Sequence, residues 1–183
     1  MADQTPKELF DQGKEILDFA VSGGGGTFRG DSLEAKKYYI QAKEYFEKAC
    51  ELNYAKGCVS LGGLYEGENL VIRREPRLKE RLKKAIQYYS KACDLNDEFG
   101  CSTLGAMQYI GKGVVKNEKQ AMEKFEKACK LGKQEACEMV TYKGLCELGH
   151  KEACEIFSLE VLCESSDQKA CDMSYDKKKA LGF

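Results

Sequence analysis

Tryptophan is absent from this chain, histidine occurs once and proline twice in 183 residues. One histidine leaves no closed set of imidazole and acidic ligands for a catalytic metal. No apolar run approaches the ~20 residues that cross a bilayer, so no membrane span is expected. The formal net charge of −1 gives no basic surplus, and Lys177-Lys178-Lys179 is the one basic cluster. Nucleic acid is therefore not expected as a partner. The opening MADQTPKELF lacks a charged-then-apolar leader. Either the protein stays inside the cell, or Met1 stands where a leader has been removed.

What is present reads as a soluble, helix-rich protein, 43% hydrophobic and 32% charged. Lysines and glutamates interleave at helical spacing, as in EKQAMEKFEKACK over 118–130. A phrase recurs along the chain: YFEKAC-ELNYAKG-CVSLGGLYEGE from Tyr45, YSKAC-DLNDEFG-CSTLGAMQYIGKGV from Tyr89, and FEKAC-KLGKQEA-CEMV from Phe125. Recurrence of one phrase is the signature of a repeat array.

All ten cysteines fall into one spacing, Cys50/Cys58, Cys93/Cys101, Cys129/Cys137, Cys146/Cys154 and Cys163/Cys171, each with seven residues between. On a continuous helix residues eight apart stand ~12 Å apart along the axis, beyond the ~7 Å a disulfide allows. Each pair must straddle a turn, through Leu-Asn, Leu-Asn, Leu-Gly, Leu-Gly and Ser-Ser in order. A disulfide across an antiparallel helix hairpin is the favoured reading. Metal binding competes but lacks a C-x₂-C knuckle, and reduced core cysteines are the other alternative. Disulfides imply an oxidising compartment and hence the removed leader.

A first helix is expected from Pro6 to about Val21, as an N-terminal cap that has lost its cysteine. Ser22 to Gly26 (SGGGG) reads as a flexible turn, without the Gly-Lys-Ser/Thr ending of a phosphate loop. Asp31-Ser32 caps the next helix, and its partner starts near Ala55. Glu66 to Arg77 is an extended loop with a seven-residue insertion, and Asn117 caps a later helix after the Gly111–Gly113 reversal. Successive first cysteines lie 43 and 36 residues apart, then 17, so from Cys137 onward the unit is one short helix and one turn. A zigzag of short helices stapled to both neighbours is expected there.

These residues resemble a known family. The phrase L-G-x-x-Y-x-x-G-x-G-V followed by A-x-x-x-F/Y-x-x-A is similar to Sel-one-like repeats, cousins of the tetratricopeptide repeat. With C-x₇-C in a unit of 36 residues, the chain resembles the Helicobacter cysteine-rich protein (Hcp) family, over roughly residues 32–140. The resemblance implies an all-α fold, a tetratricopeptide-like α/α solenoid of helix hairpins with one disulfide each. It further implies a secreted or periplasmic protein acting in host or envelope interactions, and for some members slow β-lactam hydrolysis. The expected organisation is a single solenoid over 1–183: cap helix and glycine turn in 1–30, three repeats in 31–140, and the zigzag in 141–183.

The residues themselves offer no catalytic constellation. Ser-x-x-Lys occurs at Ser166–Lys169 and Ser174–Lys177, without the Ser-Asp-Asn and Lys-Thr-Gly elements of serine β-lactamases. A cysteine nucleophile needs a free thiolate, and His150 lies in a turn between Cys146 and Cys154. The candidates for ligand contact are the adjacent tyrosines Tyr38/Tyr39 and Tyr88/Tyr89. A helix cannot put both members of a pair on one face, so one packs and the other faces a groove of first helices. The expected function is a monomeric scaffold that binds proteins or peptides on a concave face. A penicillin-binding protein taking a β-lactam or peptidoglycan fragment is the alternative the resemblance brings. No cofactor and no metal are expected.

Overall fold

A computed structural model describes residues 3–67 and 78–183 of the chain. The expected loop insertion falls largely on 68–77 and so lies outside the described residues. The chain divides into two compact units, Met1–Leu95 and Asn96–Phe183, taken here in turn.

The first unit holds α1 (Pro6–Val21), α2 (Gly23–Gly26), α3 (Leu33–Glu51), α4 (Ala55–Glu66) and α5 (Leu78–Asp94). Thr5 opens α1 with a capping box: its hydroxyl accepts from the Glu8 amide, and the Glu8 carboxylate accepts from the Thr5 amide. Ser32 caps α3, accepting from the Ala35 amide at 3.2 Å. α1 lies against α3 and α4 against α5, with Ala20, Ala35, Ala42, Phe46, Leu61 and Ala85 fully buried between them. Glycine and alanine at these positions let the helix axes approach. A Cβ on Gly62 would come within 2.6 Å of the Tyr89 ring.

The glycine stretch is not a floppy linker. Gly23, Gly24, Gly25 and Gly26 all have positive φ, 64°, 60°, 69° and 92°, so α2 is one left-handed turn that only glycine adopts without strain. The Phe28 amide closes it by donating to the Gly23 carbonyl at 3.0 Å.

The second unit holds α6 (Glu98–Ile110), α7 (Glu118–Lys130), α8 (Gln134–Glu147), α9 (Lys151–Glu164) and α10 (Gln168–Ala180). Gly111 ends α6 in the left-handed region, and Asn117 caps α7 by accepting from the Gln120 amide. The core gathers Phe125 from α7, Met139 and Tyr142 from α8, and Ile156, Phe157 and Val161 from α9. Helix α9 packs on α6 as well as on α8 and α10, which a plain row of neighbours would not give. The helices after residue 133 run 13 to 14 residues, no shorter than α6 or α7 at 13. That end therefore differs in having a turn after every single helix, rather than in helix length. α8 and α9 each carry two cysteines, one bonded to the helix before and one to the helix after.

One turn serves throughout. The third residue after each first cysteine has positive φ: Asn53 63°, Asn96 64°, Gly132 104°, Gly149 96° and Ser166 75°. Around it the amides donate back in a Schellman pattern, Tyr54 to Ala49, Lys133 to Ala128, His150 to Leu145 and Asp167 to Leu162. The turn brings the cysteine Cα atoms to 4.6 to 4.7 Å in Cys50–Cys58, Cys129–Cys137, Cys146–Cys154 and Cys163–Cys171. Cys93 and Cys101 are likewise oxidised, and no cysteine among the described residues is free. The fold is all-α, an α/α solenoid of antiparallel hairpins with one disulfide per hairpin. It contains no strand among the described residues.

Candidate interaction surfaces

In both tyrosine pairs the second member is packed and the first is half-exposed. Tyr39 is 7% and Tyr89 4% exposed, and the Tyr89 hydroxyl donates to Glu66 at 2.8 Å. Burial, then the Glu66 carboxylate, holds the Tyr89 phenol far above its ordinary pKa. Tyr38 stacks on Phe28 at 5.7 Å and meets Phe19 edge-on at 4.9 Å. Tyr88 stacks on Tyr65 at 5.6 Å. The two pairs thus occupy separate aromatic clusters within the first unit.

Tyr65 forms the floor of the Tyr88 cluster, being 3% exposed. The ammonium groups of Lys43 from α3 and Lys84 from α5 each stand 5.1 Å from its ring centre. Glu47, one turn on from Lys43, approaches that ammonium only to 3.6 Å. Burial works against the charge on Lys43, but the Tyr65 hydroxyl and Glu47 outweigh it and raise its pKa.

The second unit repeats the arrangement around Tyr109. Lys143 Nζ stands 5.7 Å from the Tyr109 ring centre and Lys116 Nζ 6.0 Å. Lys143 Nζ donates to the Tyr109 hydroxyl at 3.4 Å, and Glu147 lies 3.8 Å away. The Phe157 ring closes the other side, 5.1 Å from Tyr109.

Several other charged side chains of the second unit form internal pairs. Lys133 Nζ donates to Ser102 Oγ at 2.6 Å and to Glu164 at 2.7 Å, all three in or near the core. Lys178 pairs with Glu160 at 2.8 Å and with Glu138 at 3.4 Å. Ser174, 1% exposed, donates to that same Glu160, while Lys177 pairs with Glu155. The second Ser-x-x-Lys is thus split between two carboxylates. In the first, Ser166 sits exposed in a turn and Lys169 is exposed. His150 is exposed at the start of α9. No group of three or more potential metal ligands exists among the described residues, and no helix there is long and apolar enough to cross a membrane.

A groove of about 650 Å³ is lined by Leu159 of α9 and Met173 of α10, together with Asp176 and the Glu155–Lys177 pair. Cys154 also lines it. The disulfides differ in depth: Cys50, Cys58, Cys93 and Cys101 are 0 to 3% exposed. The six cysteines from Cys129 onward are all half-buried.

Hairpins with αL turns, small residues between helices and a disulfide per turn define a Sel1-like repeat protein. The Sel1 repeat family model matches residues 22–54, 80–97 and 101–133. The putative β-lactamase HcpC of Helicobacter pylori is 43% identical over 65 residues, covering 36% of this chain and 17% of HcpC. The cysteine-rich protein HcpB of Helicobacter pylori is 38% identical, covering 73% of this chain and 96% of HcpB, with a TM-score of 0.47. A Sel1 repeat protein from Oxalobacter formigenes shares the fold at a TM-score of 0.59 and 18% identity, over 97% of this chain and 74% of that one. A protective antigen of uropathogenic Escherichia coli with an SLR fold matches at 0.50 and 23% identity, over 91% of this chain and 39% of the antigen. The chain belongs to the Sel1-like repeat proteins of the Hcp family.

Proposed function

We propose that this protein is a disulfide-stapled scaffold of the periplasm or the extracellular medium, binding proteins or peptides on a concave face of its helix hairpins. The observation that carries this reading is how the reactive groups are used. Every described cysteine is oxidised, and Ser174, Lys177 and Lys178 are engaged in internal pairs. Half-exposed tyrosines and lysines on the helices remain as the contact groups, and such side chains suit protein interfaces. The test is intact mass after alkylation without reductant, on protein from its native host. No added alkyl group supports an exported scaffold, and ten added groups overturn the compartment.

A second reading rests on the 43% identity to HcpC: a penicillin-binding protein with weak β-lactamase activity. Its serine candidates are poorly placed, because Ser174 is buried and the exposed Ser166 has no general base among its hydrogen-bond partners in the structure. A chromogenic cephalosporin separates the readings. Turnover that persists through purification and disappears on disulfide reshuffling would sink a pure scaffold.

A further inference from the structure

From Cys129 onward the cysteine pattern advances by 17 residues per helix, so equivalent positions can be followed from one helix pair to the next. Phe125 of α7 and Met139 of α8 are fully buried, in one core with Phe157 and Val161 of α9. At the next step, Tyr142 of α8 and Ile156 of α9 are also buried, 7% and 0% exposed. Here α10 supplies the cover. Its Lys178, 17 residues after Val161, stands 5.7 Å from the Tyr142 ring centre and pairs with Glu138 and Glu160. One more step gives Leu159 of α9 and Met173 of α10, with Glu155 and Lys177 in the places of Glu138 and Glu160. These four line the groove of about 650 Å³, and Met173 is 48% exposed. The end repeat of a solenoid needs a polar outer face. Instead, two apolar side chains stand uncovered where the earlier pairs are filled by the helix that follows them.

We infer that the Leu159–Met173 groove docks an amphipathic helix of a partner protein, one that carries a lysine or arginine beside its apolar stripe. The inference rests on the scaffold reading and names a surface and the kind of partner it fits. The helices over the earlier pairs show the shape required, since their covering residues lie one turn apart, Phe157 and Val161 on α9 and Ser174 and Lys178 on α10. Burial of Leu159 and Met173 under such a helix supplies the apolar gain. Charge sets the sign of the partner. Lys177 is already engaged by Glu155, while Asp176 is exposed and has no ion pair among the described residues. Two carboxylates against one ammonium leave the groove negative. A basic residue on the incoming helix reaches Asp176 and Glu155 as Lys178 reaches Glu138 and Glu160.

Three labelled helical peptides test this by fluorescence anisotropy on the oxidised protein. One has a leucine stripe flanked by lysines, one the same stripe flanked by glutamates, and one the lysine composition with its leucines scattered around the helix. The first is expected to bind best. Met173→Lys should weaken it about tenfold, the scale of one buried apolar side chain. Asp176→Lys should weaken it about two- to fivefold, as an exposed ion pair does. Leu148, 78% exposed on the same unit, is the control, and Leu148→Lys should change affinity by less than about twofold. Circular dichroism of each variant checks that the helices persist. With methionine methyl groups labelled for NMR, the Met173 signal should shift on titration while those of the fully buried Met107 and Met139 stay in place. Preference for the glutamate or scattered peptide, equal losses in Met173→Lys and Leu148→Lys, or binding of none of the three would overturn the inference. So would self-association of the protein that Met173→Lys abolishes, which would give the groove to a second copy. The scaffold reading is judged separately, by alkylation of the native cysteines, which no peptide result alters.

Discussion

Ser166 holds the left-handed turn position that asparagine or glycine holds in the other four turns. A Cβ with no local amide to compensate is strained there. Ser166→Gly should therefore raise stability by about 0.5–1 kcal/mol, read from chemical denaturation. Glycine-to-alanine changes should split by site. At Gly62 the new methyl meets the Tyr89 ring at 2.6 Å, while at Gly144 in α8 nothing lies within 4 Å. Gly62→Ala should cost about 1–3 kcal/mol by overpacking, and Gly144→Ala should gain about 0.5–1 kcal/mol from helix propensity. The buried phenols give a pH dependence. Burial raises Tyr39, Tyr88 and Tyr89 above the ordinary value, Tyr89 furthest. The fold favours the neutral phenol, so this contribution is whole below the unfolded value of about 10 and is lost as pH rises beyond it. In an alkaline absorbance titration a fraction of the tyrosines should ionise only together with loss of helical circular dichroism.

At the scale of elements, the turn between α7 and α8 is tied down by Lys133, which reaches Ser102 on α6 and Glu164 at the end of α9. Lys133→Met leaves the half-buried Glu164 with only the Ser102 hydroxyl as donor and no counter-charge, and should cost about 3 kcal/mol. Adding Glu164→Met should return much of that, as a double-mutant cycle would read. This tie shows where sequence reasoning stopped. Helix positions were legible because Ala, Tyr and Phe recur at helical spacing and because Ser32 and Asn117 precede them as caps. The Thr5-x-x-Glu8 box was also there to be read. Lys133 looked like any turn lysine, since its partners lie 31 residues away on either side and only the packing of α9 onto α6 joins them. The Lys-x-x-x-Glu repeats at 43/47 and 143/147 stood in the sequence as ordinary solvated helix pairs. Their tyrosine partners belong to other helices, so only the fold selects them. The glycines of α2 were legible as a turn but not as an ordered one, because local composition gives no sign of the amide that closes it.

At the scale of the molecule, the two units are unequally stapled. Cys50–Cys58 lies in Met1–Leu95 and is buried, whereas Asn96–Phe183 contains three half-buried bridges of its own. In the chain-entropy model each such loop contributes about 2.5 kcal/mol. Graded reduction followed by alkylation and peptide mass mapping should label the cysteines from Cys129 onward before Cys50 and Cys58. Helical signal should fall with that first wave, and a uniform order of labelling would contradict the depth difference.

The repeated turn also bears on how such a chain is made. Every cysteine lies eight residues from the one it follows or precedes across a turn, so if the chain is exported as proposed, a first cysteine leaving a membrane pore waits only a few residues for its mate. Local turn residues have already folded the chain back on itself when that mate arrives. Bonds formed in order of emergence are then the native bonds, and an oxidant alone completes the set. On the exported-scaffold reading, refolding of the reduced chain with an oxidant alone should therefore regain all the native bridges without a thiol catalyst that breaks wrong ones and remakes them.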